Sequence, residues 1–73
     1  MGVLANISGK QAVQAFVRSG YAHDDTSGSH AILKKPNSPT LSIPLHREIS
    51  PYLLKAQLKR AGLTIKEFQK FLK

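Results

Sequence analysis

No cysteine occurs among these 73 residues, and in so short a chain that absence constrains the fold more than any other feature. Chains below about 80 residues commonly rely on disulfides or a structural metal, because one small core supplies little stability. Here disulfides, thiolate zinc sites and thiol nucleophiles are all excluded together. The fold must come from a single apolar core. With 41% hydrophobic residues the chain has the material for one, which a disordered basic tail lacks. One domain over residues 1–73 is the expectation, since independent domains rarely fall below about 50 residues.

The same absence favours the cytoplasm over a secreted location, where a domain this small usually carries disulfides. No apolar run approaches the roughly 20 residues that span a bilayer, so no membrane partner is expected. The first ten residues lack the apolar block of roughly seven residues or more that marks a signal peptide. Met1-Gly2 suggests myristoylation, but Asn6 stands where that motif requires Ser or Thr. Asn6-Ile7-Ser8 fits a glycosylation sequon, which has meaning only on a secreted chain.

Eleven Lys and Arg against four Asp and Glu give a formal charge of +7. That balance suits a polyanion, nucleic acid first, with an acidic protein or an anionic surface as alternatives.

Local signals order the elements. Ser8-Gly9-Lys10-Gln11 fits a capping box. Ala12, Val13, Phe16 and Val17 follow at one-face helical spacing, and Gly20 supplies a left-handed stop. A helix over residues 9–19 is predicted. Tyr21-Ala22-His23-Asp24 reads as a short strand, Thr26-Ser27-Gly28 as a turn, and Ser29 to Lys35 as a second strand closed by Pro36-Asn37-Ser38-Pro39. Thr40-Leu41-Ser42-Ile43 alternates as a third strand with one buried face. Loops this short favour an antiparallel meander. Ser50-Pro51 opens a second helix with Leu54, Leu58 and Ala61 inward and Gly62 as its stop. Thr64-Ile65-Lys66-Glu67 is a second capping box, starting a short helix with Ile65, Phe68 and Leu72 inward. The predicted class is α+β, in the order α-β-β-β-α-α.

Histidine is the side chain poised by default to exchange protons near neutral pH. His30 begins a strand directly after Gly28-Ser29. Alternation puts His30, Ile32 and Lys34 on one face, and Ser29, Ala31, Leu33 and Lys35 on the other. An imidazole sharing a face with a lysine suits a phosphate, although the spacing equally allows a solvated strand histidine. His46, with Arg47 beside it, precedes the second long helix. It reads as a substrate contact, as a second acid, or as a loop residue bonded locally. His23-Asp24-Asp25 has metal-ligand chemistry, but neighbours on a strand point to opposite faces, so no metal is expected there. Ser27 and Ser29 have no orienting acid at recognisable spacing, and neither a Gly-x-Ser-x-Gly elbow nor a phosphate-binding Gly-x-x-x-x-Gly-Lys loop is present. Lys55 and Lys59, then Lys66, Lys70 and Lys73, form cationic stripes on two successive helices. They are either a solvated face or a docking face for a partner.

Several landmarks then combine: a lysine-containing first helix ending in Ser19-Gly20-Tyr21, then Gly28-Ser29-His30, then Ile43-Pro44-Leu45-His46, and a stretch from Leu58 through Ala61-Gly62-Leu63 to Phe68. From Gly9 to Leu72 the chain resembles the HicA (YcfA-like) toxin family, the mRNA interferase half of HicA–HicB toxin–antitoxin modules. The resemblance implies a single HicA-like domain folded like a double-stranded-RNA-binding domain, with a three-stranded antiparallel sheet and helices on one face. It implies an endoribonuclease that cleaves mRNA without a cofactor, a HicB-like antitoxin that covers the site, and His30 as the residue tied to toxicity. The acidic run His23-Asp24-Asp25 departs from the basic or Gln-rich stretch of many relatives.

Residue chemistry and resemblance converge on one mechanism. RNA carries its own nucleophile in the 2′-OH, so cleavage needs a base and charge stabilisation at the phosphate. His30 is the expected base, within the motif that includes Gly28 and Ser29. Lys34, Lys35 and Lys10 are expected to stabilise the transition state, and His46 or Arg47 to assist the leaving group or hold the strand. The competing readings are a non-catalytic double-stranded-RNA binder, a protein-interaction module and an inactive remnant of the toxin.

Overall fold

A computed structural model describes residues 4–72, in the order α1 (Gly9–Arg18), β1 (Ala22–Ser27), β2 (His30–Lys34), β3 (Leu41–Pro44), α2 (Pro51–Ala61) and α3 (Ile65–Phe71). The predicted α+β order α-β-β-β-α-α holds. Gly2 and Lys73, which carry the myristoylation reading and the last residue of the lysine stripe, lie outside the described residues.

Both predicted capping boxes are formed. The Ser8 hydroxyl accepts from the Gln11 N–H, while the Gln11 side-chain oxygen accepts from the Ser8 N–H at 2.9 Å. Thr64 and Glu67 repeat the arrangement at α3. Ser50 caps α2 through the Tyr52 N–H, with Pro51 in its first turn. The first helix ends one residue earlier than predicted, with Ser19 as its C-cap.

The largest departure is in the first hairpin. The strand expected over residues 21–24 runs from Ala22 to Ser27, so Thr26 and Ser27 are strand residues and not turn residues. The turn is Gly28-Ser29 alone, flanked by the Ser27–His30 pair, and β2 is correspondingly shorter than the predicted 29–35. Gly28 has φ of +61° with nothing within 4 Å of the position of a Cβ. Backbone conformation, not crowding, is what requires glycine here. Asp24 has no partner in the register, which steps from His23–Leu33 to Asp25–Ile32, so it forms a bulge. The second connection is a turn over residues 35–38, with Pro36 first and Asn37 at φ of +61°, closed by Ser38 N–H to Lys35 carbonyl.

The three strands form one antiparallel sheet in the order β1-β2-β3. Ala31 and Leu33 of β2, and Leu41 and Ile43 of β3, are fully buried under the helices. α1 packs on all three strands, α2 on β3, and α3 on α1 and α2. His30, Lys34 and Ser42 face solvent on the opposite side, as the alternation predicts. The core is organised around Phe16, whose ring lies 5.1 Å from that of Phe68 and 6.0 Å from that of Tyr21. Val17, expected on the apolar face of the first helix, is 42% exposed, and Ala15 is buried instead. The face is centred on Ala12, Ala15 and Phe16, which turns Val17 out by one 100° step. Among the described residues, no helix is long and apolar enough to cross a membrane.

Candidate active site

The site is built where the β1–β2 turn meets the segment after β3. His30 is the first residue of the central strand, paired with Ser27 on one side and Pro44 on the other. Its side chain stands on the face without helices, and it is exposed. Just past β3 the chain is tied back to the turn, the Leu45 N–H donating to the Ser29 carbonyl at 2.6 Å. The next residue is His46. Its ring centroid lies 6.5 Å from that of His30, with the planes at 64°. Two imidazoles sixteen residues apart in sequence thus share one open end of the sheet.

The loop carrying His46 is also fixed from beneath. The Gly9 N–H donates to the His46 carbonyl at 2.9 Å, and the Ile49 N–H donates to the Ile7 carbonyl at 2.8 Å. Glu48 accepts from the Asn6 N–H at 3.2 Å. The approach at Gly9 is so close that a Cβ would stand 2.1 Å from the Pro44 carbonyl oxygen and 2.7 Å from the Leu45 Cα. Only glycine fits. Gly9 escaped the sequence reading, yet a glycine at the first position of a helix, where its propensity is poor, is the signal that marks it. Lys10 follows directly, exposed on the first turn of α1, and Arg47 is exposed beside His46.

The other basic candidates lie elsewhere. Lys34 is at the far end of β2, about 13 Å from His30 along the strand at its usual rise. It shares His30's face and pairs with Asp24, Nζ to Oδ2 3.4 Å. Lys35 turns away, its stem against Gly20 and its ammonium 5.6 Å from the centre of the Tyr21 ring. The arrangement therefore brings Gly28, Ser29, His30 and His46 together, with Arg47 next to His46 and Lys10 next to Gly9 along the chain, and leaves Lys34 and Lys35 to a more distant stretch of the sheet.

The acidic run does not converge on a point. His23 Nε2 lies 3.0 Å from Thr26 Oγ1, Asp24 holds Lys34, and Asp25 accepts from the Thr26 N–H. The bulge at Asp24 shifts the alternation, which is why His23 and Thr26 share a face. Among the described residues, no three His, Asp or Glu side chains are grouped as a metal site.

Residues 9–63 match the family model described as HicA toxin of bacterial toxin–antitoxin. The chain belongs to the HicA toxin family. It is the toxin component of a toxin–antitoxin module, and a HicA toxin has a cognate antitoxin as its partner. The match spans the whole candidate site and stops before α3, which joins the HicA fold through Phe68 in the core. A search of curated proteins finds no match.

Proposed function

We propose that this HicA toxin is an endoribonuclease that cleaves mRNA by attack of the RNA 2′-OH on the adjacent phosphorus. His30, neutral, takes the 2′-OH proton. The 2′-oxygen bonds to phosphorus, the bond from phosphorus to the 5′-oxygen breaks, and His46, protonated, gives its proton to the departing oxygen. The products are a 2′,3′-cyclic phosphate and a free 5′-OH. Atoms and charges balance without a further reactant. In this reading Lys10 and Arg47 counter the negative charge that builds on the phosphoryl oxygens. Lys34 serves the neighbouring backbone of the strand, not the reacting phosphate, while Lys35 is turned to the other face against Tyr21.

The observation that carries this reading is the His30–His46 ring contact of 6.5 Å at an exposed end of the sheet. Acid and base can then flank one phosphate, and each proton transfer contributes about 10²–10⁴-fold in rate. The single HicA-like domain over residues 1–73, its likeness to a double-stranded-RNA-binding domain, its place in the cytoplasm beside mRNA and a HicB-like acidic antitoxin belong to the same reading.

The test is His30→Ala, compared with the wild-type toxin on purified RNA and in cells at equal expression. Loss of cleavage and of growth arrest, with unchanged thermal unfolding, is the expected result. Cleavage at the wild-type rate would overturn the assignment. RNA retarded on a gel but never shortened, by the wild-type toxin itself, would point to the non-catalytic binder.

A further inference from the structure

A groove of about 340 Å³ lies where α2 turns into α3, lined by Lys55, Leu58, Lys59, Leu63, Thr64 and Ile65. It stands at the C-terminal half of α2, the end away from the loop that carries His46 and Arg47. Its floor is aliphatic. Leu58 is buried, and Leu63 and Ile65 are half-covered by the fold. Two exposed lysines one helical turn apart form its wall. Among the described residues, none of the four Asp and Glu side chains forms an ion pair with them. Asp24 pairs with Lys34, Asp25 accepts from the Thr26 N–H, Glu48 from the Asn6 N–H, and Glu67 from Thr64. Like charges at i and i+4 are mutually unfavourable on a free helix.

We propose that this groove receives an acidic segment of the cognate antitoxin, anchored by an apolar side chain on the Leu58–Leu63–Ile65 floor and by carboxylates on Lys55 and Lys59. Two features favour protein over RNA. A phosphate backbone has nothing to place on an aliphatic floor, and no aromatic ring lines the groove to stack a base. An apolar anchor set in a charged rim is how protein interfaces are made. The antitoxin would then grip the toxin at a point away from the two histidines, and inhibition would not rest on covering them alone. The proposal depends on the toxin–antitoxin pairing and not on His30 being catalytic, so its failure and that of the nuclease reading are told apart.

The experiment titrates the co-encoded antitoxin against full-length toxin carrying Lys55→Glu with Lys59→Glu, or Leu63→Ser, and measures RNA cleavage by each toxin alone. The expected result is antitoxin binding weakened about tenfold or more by the charge reversal at low salt, and weakened at both low and high salt by Leu63→Ser. Cleavage stays at the wild-type rate. Antitoxin affinity unchanged in the lysine variant overturns the proposal. So does RNA binding or cleavage that falls in that variant while antitoxin binding holds, which would make RNA the occupant. Loss on charge reversal with no effect of Leu63→Ser would reduce the lysines to long-range attraction and also overturn it. The lysine variant is wholly on the surface, so it answers even if Leu63→Ser unfolds.

Discussion

The Gly9 N–H and the His46 carbonyl are joined at 2.9 Å, so the first residue of α1 holds the loop whose ring faces His30. The catalytic geometry proposed for the sheet face is thereby tied to a helix on the other side of the molecule. A change at Gly9 should be felt at His46 without touching any side chain of the site.

Gly9→Ala puts a methyl 2.1 Å from the Pro44 carbonyl oxygen, a contact that backbone atoms must move to relieve. Overpacking of this kind costs about 1–3 kcal/mol. For a chain of this size each kcal/mol lowers Tm by about 4–8 °C. The variant is expected to melt earlier in thermal unfolding, and to lose RNA cleavage well below its melting temperature because His46 is displaced.

A base and an acid acting together give a rate that falls on both sides of a pH optimum. His46→Gln should keep the acid-side rise expected of the His30 base while removing the alkaline fall that reports the acid. Initial rates of cleavage across pH, for wild type and variant, measure it. A variant profile with both limbs intact would place the acid elsewhere.

Glu67 titrates as part of the α3 cap. The Thr64 N–H, then its hydroxyl, then the charge of Lys70 hold its carboxyl below the ordinary value. A lowered folded value means the unfolded chain takes up the proton first as the solution is acidified. The stabilisation is therefore complete above the ordinary carboxylate range and is lost as pH falls through the lowered value. Glu67→Gln keeps an oxygen acceptor but not the charge. Its stability deficit, measured by denaturant unfolding, is expected to shrink from neutral to acidic pH.

The pairing of Lys34 with Asp24 is on the surface, with the two side chains 58% and 51% exposed. Asp24→Ala should change stability by less than about 1 kcal/mol. It releases a cation on the face of His30, and RNA affinity should rise. If Lys34 gains one phosphate contact, the slope of log affinity against log salt should steepen by about 0.7, the value for a single strand.

Phe68 is fully buried against Phe16. Phe68→Ala should cost about 3–5 kcal/mol, a large part of the stability available to a small domain. Although the family match ends at Leu63, loss of α3 from the core would then be seen as loss of cooperative unfolding.

The helices were legible because their signals are local. Ser8 with Gln11, Thr64 with Glu67 and Ser50 with Pro51 act within one turn of chain, and all three form as read. The length of β1 was not legible. Its six residues are all exposed, so no apolar alternation marks it, and Asp24-Asp25 and Thr26-Ser27 have the composition of a turn. Pairing with β2 overrides that local preference. His30 could be singled out from its turn, but its meeting with His46 depends on β2–β3 register and on the bond from Leu45 to Ser29. The distance of Lys34 and Lys35 from His30 follows from strand rise once β2 is known to be straight and continuous. The need for glycine at position 9 arises from atoms 35 and 36 residues away, beyond any local pattern.

The bulge at Asp24 has one more consequence. A three-stranded sheet leaves two outer strands with unpaired backbone groups, each a template on which a second molecule can add a strand. β1 is the more vulnerable, since all six of its residues are exposed. The extra residue at Asp24 breaks its hydrogen-bonding repeat, and two adjacent carboxylates charge the rim. A second copy cannot zip along it in register. Residues that contribute nothing to the core thus disfavour edge-to-edge addition of a second copy to a cysteine-free, thinly covered sheet.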